Sequence, residues 1–164
     1  MRGRLAGVAA ALGIVLTGCG VQPTGVVGAG EPASGLTRGA RLYFASSGGL
    51  RALPVVDMEI EDLNAVVKLL LVGPPPGGQA DGLTSFVDLP GFSATGTGTR
   101  VTLRLDGPYA GTGRDQGTGQ LVCTLARAQS VLDPEVRTDD VEVTLRPSGS
   151  AELGPYRCAE FLDR

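Results

Sequence analysis

DMEIEDLNAVVKLLLVGPPP, residues 57–76, holds the most strongly patterned element of the chain. Ile60, Leu63, Val66, Val67, Leu70 and Leu71 recur at three- and four-residue spacing, which puts them on one stripe of a helix turning every ~3.6 residues. Glu61, Asp62 and Asn64 fall off that stripe. Asp57 or Glu59 is the expected acidic start. Glu59, Glu61 and Asp62 read as helix-start charge, stabilising by about 0.3–1 kcal/mol each through the macrodipole. Lys68 is placed near the C-terminal turn, Gly73 is the natural residue beyond the last turn, and Pro74, Pro75 and Pro76 forbid continuation.

Working outward, residues 41–45 (RLYFA) and 50–56 predict two short strands around the turn Ser46-Ser47-Gly48-Gly49. Pro54 makes the second an edge strand or a strand end. Downstream, residues 100–106 alternate with period two: Val101, Leu103 and Leu105 inward, Thr102 and Arg104 outward. A glycine-rich loop over 107–119 is expected next, then a helix over about 120–131. Its apolar face is Leu121, Val122, Leu125 and Ala128, with Cys123 to one side. Residues 141–145 predict a further strand. The fold class is α+β: a small mixed or antiparallel sheet with two helices packed on one face.

The N-terminus has a different character. Arg2 and Arg4 precede an apolar run over residues 5–16, followed by Leu16-Thr17-Gly18-Cys19. A basic start, a short apolar segment and small residues before a cut site describe a secretory signal. The run is shorter than the ~20 apolar residues that a spanning helix needs. Leu16, Thr17, Gly18 and Cys19 resemble the lipobox of bacterial lipoproteins, in which the cysteine thiol is diacylated and becomes the mature N-terminus. Two chains matter, because each buried CH₂ contributes ~0.8 kcal/mol and one chain holds only marginally. Residues 1–18 are therefore expected to be a signal peptide. Residues 19–39, rich in Gly, Pro, Ser, Thr and Val, form a lipidated flexible tether. Residues 40–164 make one domain.

The chain has three cysteines. With Cys19 lipidated, Cys123 and Cys158 remain as an even pair, and outside the cytoplasm a disulfide between them persists. It would contribute about 3–4 kcal/mol through loop entropy. Two separate buried thiols are the alternative.

Composition excludes several activities. The 14 basic and 17 acidic residues give a formal net charge of −3, and loss of Arg2 and Arg4 would make the mature part more acidic. Such a balance argues against nucleic acid as a partner. There is no histidine, which removes the commonest general base and metal ligand together with the Ser-His-Asp triad. There is no tryptophan for a sugar-stacking platform.

The strand with Tyr43-Phe44, then Leu50-Arg51-Ala52-Leu53-Pro54, then a helix ending Leu69-Leu70-Leu71-Val72-Gly73-Pro74 occur in a recognisable order. Gly82-Leu83-Thr84-Ser85 and Leu89-Pro90-Gly91 continue it. Over roughly residues 40–130 the chain resembles the GerMN domain of sporulation and spore-germination lipoproteins, a family also frequent as actinobacterial lipoproteins. The resemblance implies that the second helix packs beside the first on one face of a small sheet. It also implies a role in envelope or sporulation complexes. Residues 148–164 depart from the family pattern, and Cys158 bonded to Cys123 would pin them to the domain as a C-terminal extension.

Candidate chemistry is sparse. Gly111-Thr112-Gly113 and Gly117-Thr118-Gly119 lack the lysine and preceding strand of a phosphate-binding loop, and read as loop punctuation. Asp139, Asp140 and Glu142 lack the further oxygen ligands that a hard cation takes. No catalytic residue, metal ligand or cofactor is expected. The expected function is a non-catalytic interaction module on the extracytoplasmic face of the cell membrane, held there by diacylglyceryl-Cys19, with an envelope protein or cell-wall polymer as partner. The alternative is a small lipoprotein that binds or hydrolyses cell-wall polysaccharide with carboxylates such as Asp88, Asp106 or Asp139. A glycosidase pair would need two carboxyls about 5–10 Å apart across a cleft.

Overall fold

Strand β1 (Arg41–Ser46) and strand β2 (Gly49–Pro54) form an antiparallel hairpin in which Tyr43 faces Ala52. The Ser46 hydroxyl donates to the Gly49 carbonyl at 2.7 Å and closes the turn. Pro54, lacking an N–H, ends β2. A computed structural model describes residues 39–56 and 58–162. The expected signal peptide, the lipobox-like Leu16-Thr17-Gly18 with Cys19, the expected tether up to Arg38, and Asp57 lie outside the described residues.

Helix α1 (Leu63–Val72) starts later than Asp57 or Glu59, because the Asp62 carboxylate accepts from the Ala65 N–H at 2.7 Å and takes the cap. Ile60 is buried ahead of the helix, while Leu63, Val66, Val67 and Leu70 form its buried face. Lys68 stands exposed in mid-helix, not in the last turn. Gly73 ends the helix at a φ of 88°. The short helix α2 (Pro76–Ala80) then restarts with proline in its first turn, where no N–H is needed.

Four more strands build the main sheet: β3 (Phe92–Thr97), β4 (Arg100–Leu105), β5 (Glu142–Pro147) and β6 (Leu153–Tyr156). They lie in the order β3-β4-β5-β6. β4 and β5 run parallel, with Leu103 opposite Leu145, and the outer pairings are antiparallel. The fold is α+β with a mixed sheet. The expected strands are divided between two sheets, however. The outer edge of β1 is already occupied: Ala45 pairs with Thr84 through two backbone bonds of 3.0 and 2.9 Å, and Tyr43 is held by side chains from a helix. The hairpin is thereby a sheet of its own.

Helix α3 (Gln116–Leu132) connects β4 to β5 and is the spine of the domain. It packs against β1, against α1 and on the inner face of β4 and β5; Leu121, Val122 and Leu125 are fully buried with Leu103, Val143 and Leu145. The expected loop at 117–119 is helical instead. The Asp115 carboxylate caps the helix by accepting from the Thr118 N–H at 2.8 Å. Gly119 is a close-approach position: a Cβ there would meet the Phe161 ring at 2.8 Å and Leu50 at 2.9 Å.

The C-terminal segment closes the other side of α3. Cys123 on α3 is disulfide-bonded to Cys158, with an S–S distance of 2.05 Å. Short helix α4 (Ala159–Leu162) follows directly and buries Phe161, edge-on to Tyr156 with ring centroids 5.7 Å apart.

Candidate binding site

The polar residues buried on α3 all serve the fold. Gln120 accepts from the Phe86 N–H at 2.8 Å and donates to the Tyr43 and Thr84 carbonyls, each at 3.2 Å. One turn on, the Thr124 hydroxyl accepts from the Tyr43 N–H at 3.0 Å. Helix side chains thus replace a third strand along β1. Gln129 donates to the Gly98 carbonyl at 3.0 Å and fixes the β3–β4 turn in the same way.

At the start of α3, Asp115 also accepts from the Thr112 N–H at 2.6 Å, and Tyr109 shares a 3.1 Å hydrogen bond with the Thr118 hydroxyl. Burial by itself raises the Asp115 carboxyl, but the N–H groups and hydroxyls of Thr118 and Thr112 outweigh it and hold the group below its ordinary range. Burial pushes the Tyr109 phenol from 10.0 up to about 12; its bond to Thr118 opposes the rise and the Asp115 charge adds to it. These groups tie the loop to the helix start.

Of the sequence-derived carboxylates, Asp106 and Asp139 stand at opposite ends of β4. Asp106 follows the C-terminal end of β4, and Asp88 is exposed in the segment before β3. Asp139 lies before β5, on the side where Glu142 meets Arg100, the first residue of β4. A six-residue strand spans roughly 17 Å, beyond the about 5–10 Å of a glycosidase pair, so Asp106 and Asp139 do not form one.

Two surfaces remain. The outward face of the main sheet carries a threonine row, Thr95-Thr102-Thr144, one residue per strand in register. Ser93-Arg104-Arg146 and Thr97-Arg100-Glu142 flank it as parallel rows. This face is polar, with Arg146 and Arg157 engaged to Glu152 at 2.5 Å and Glu142 at 2.8 Å.

The second surface is a cleft of about 820 Å³ between the start of β1, the C-terminal part of α3 and the 3-10 turn Thr138–Asp140. Arg41, Arg127 and Arg137 line it with Tyr43, Val136 and Asp139. Arg127 is half-buried and donates from Nε to the Gly39 carbonyl at 3.1 Å, fastening the first described residue to α3. Its Nη2 is buried without a hydrogen-bond partner. On the adjacent wall Ser130 and Thr138 share a 2.7 Å hydrogen bond. Sequence reasoning missed this cleft. Its one local signal is Arg127 itself, a charge between Ala126 and Ala128 on a helix that is otherwise small, apolar or amide-bearing. No family model, no curated protein and no solved structure matches the chain.

Proposed function

We propose that this chain is a lipid-anchored lipoprotein of the extracytoplasmic membrane face whose α+β domain is a non-catalytic binding module of the cell envelope. Leu16-Thr17-Gly18-Cys19 after a basic and apolar leader is the observation that carries the anchor. The observation that carries the module is the cleft at the root of β1, whose polar lining is arginine, hydroxyl and a single carboxylate. That lining supplies groups suited to holding a ligand by charge-assisted and hydroxyl hydrogen bonds. The likeness to GerMN lipoproteins belongs to the same reading, supported by the order of the strands and by α1 and α3 lying side by side. An envelope or sporulation complex is the setting this implies.

The anchor is tested by fractionating cells that express the chain or its Cys19→Ser variant, with a clickable palmitate analogue in the medium. The expected result is label and membrane retention for the parent chain, and loss of both for the variant. Retention of the unlabelled variant in the membrane fraction would refute the anchor.

A further inference from the structure

We propose that the outer edge of β2 takes up an extended segment of a partner polypeptide as a third strand of the hairpin sheet, with an acidic side chain of that segment opposite Arg51. The inference goes beyond the binding-module reading. It concerns the edge of the hairpin away from β1, and depends on neither the cleft nor the anchor.

The direction of the backbone groups on β2 follows from what β1 does. Tyr43 and Ala45 turn their N–H and C=O groups away from β2, to Thr124, Gln120 and Thr84. Bonded and non-bonded pairs alternate along an antiparallel ladder, so Leu42 and Phe44 are the residues bonded to their register partners Leu53 and Arg51. Leu50 and Ala52 therefore point their N–H and C=O groups outward, about 7 Å apart along the strand. Among the described residues nothing bonds to these four groups. Each of the other three sheet edges carries a device against strand addition. β1 is occupied by Thr84 and helix side chains, and β3 is gripped at Ala94 by the Asn64 amide. β6 is four residues long and contains Pro155, which has no N–H. The outward groups of β2 are by contrast an open template, and another extended backbone is what presents N–H and C=O at the same repeat.

The side chains along the edge select the segment. Arg51 is exposed and has no ion pair among the described residues. A carboxylate on the incoming residue opposite it makes a favourable cross-strand pair. Leu50 and Ala52 lie on the other face of β2 and are half-buried. Leu50 and the Phe161 ring both approach Gly119, which puts α4 on this face, and α4 leaves Leu162 47 % exposed. The residues on either side of the acidic one thus meet apolar surface, and the segment reads apolar–acidic–apolar. A second copy of this chain fits worse. Pairing Leu50 with Ala52 of the copy sets one Arg51 directly against the other, and like charges so placed are unfavourable. Shifting that register by two residues sets Leu50 against Pro54, which has no N–H to give.

The test is an NMR titration of the purified full chain carrying Cys19→Ser with the end-capped pentapeptides TVEVT and TVKVT. TVEVT is expected to shift the amide signals of Leu50 and Ala52 and to slow their exchange with solvent. TVKVT should bind about threefold to tenfold more weakly, and Arg51→Glu should reverse the order of the two peptides. Ala52→Pro removes an outward donor without touching a bond to β1, and should weaken TVEVT by about fivefold or more. Circular dichroism reports the fold of both variants. A further readout needs no change to the protein: TVEVT N-methylated at its two valines should not bind, whereas N-methylation at its glutamate should be tolerated. Sedimentation velocity on the chain alone examines the other occupant. A dimer that Ala52→Pro disperses would put a second copy on the edge and overturn the proposal. So would peptides that leave Leu50 and Ala52 unmoved, equal affinity of the parent chain for both peptides, or indifference to which amides are methylated.

Discussion

Asn64 on α1 grips Ala94 on β3 with both ends of its side-chain amide: Oδ1 accepts from the Ala94 N–H at 2.8 Å, and Nδ2 donates to the Ala94 carbonyl at 3.3 Å. β3 is the edge of the main sheet, and the backbone groups that Asn64 occupies are those a further strand would use. Gln120 and Thr124 treat Tyr43 on β1 in the same manner. Both sheets therefore end against helix side chains along one edge, a device that ties helix to strand and blocks strand addition together.

Asn64→Ala removes both bonds and should destabilise the domain by about 1–3 kcal/mol. Urea denaturation measures the loss, and amide exchange at Ala94 should accelerate more than at Leu103 on the central strand β4. Equal exchange at both sites in the variant would show that Asn64 does not guard the edge.

Asp115 makes stability depend on acid. Its folded carboxyl lies below the ordinary range, so its contribution is complete above the unfolded value and disappears as pH falls through the folded one. Asp115→Ala should cost about 0.5–2 kcal/mol at neutral pH, the usual worth of a helix cap. It should also flatten the acid limb of a stability–pH curve measured by denaturation. A parallel curve shifted down at every pH would count against this assignment.

Tyr109 acts at the other extreme. Its folded value, raised from 10.0 to about 12, leaves stability intact below the unfolded value and removes it as pH climbs through that window. Tyrosinate absorbance should show a late-titrating phase that is lost in Tyr109→Phe, whose alkaline limb should be shallower. A parent chain with no late-titrating phase contradicts the burial of this group.

Replacing Cys123 and Cys158 together by alanine should lower stability by about 3–4 kcal/mol, the loop entropy released to the unfolded chain. The denaturation midpoint is the readout, with the reduced parent chain expected to follow the variant. A midpoint that does not move would mean that Phe161 and the end of β6 hold the segment without the bridge.

Legibility from sequence tracked how far each element advertises itself. The stripe of α1 and the alternation Val101-Leu103-Leu105 in β4 are complete within a few residues, and both elements are found where those patterns fall. β3, spelled FSATGT, buries only Ala94 fully and otherwise offers small polar residues and glycine, so no period stands out. β6, spelled LGPY, carries glycine and proline where a strand signal would be. The first turn of α3 reads as loop because Gly117 and Gly119 are there for close approach, to Phe86 and Phe161, which only the folded chain reveals. The arginine cleft was the least legible feature. Arg41 and Arg127 come from opposite halves of the chain, and only the seating of β1 along α3 brings them to one space.

The seating of Phe161 against Gly119 has a consequence for how the chain is made. Synthesis runs from the N-terminus, so the ring that covers the glycine face of α3 is produced only after the whole of α3 and both strands β5 and β6. Until it arrives, a strip of the central helix that includes Gly119 and Cys123 stays uncovered, whatever the upstream strands have achieved. A chain broken off before Cys158 would carry that bare strip into solution, marking itself as unfinished to any protease or chaperone that reads exposed apolar surface.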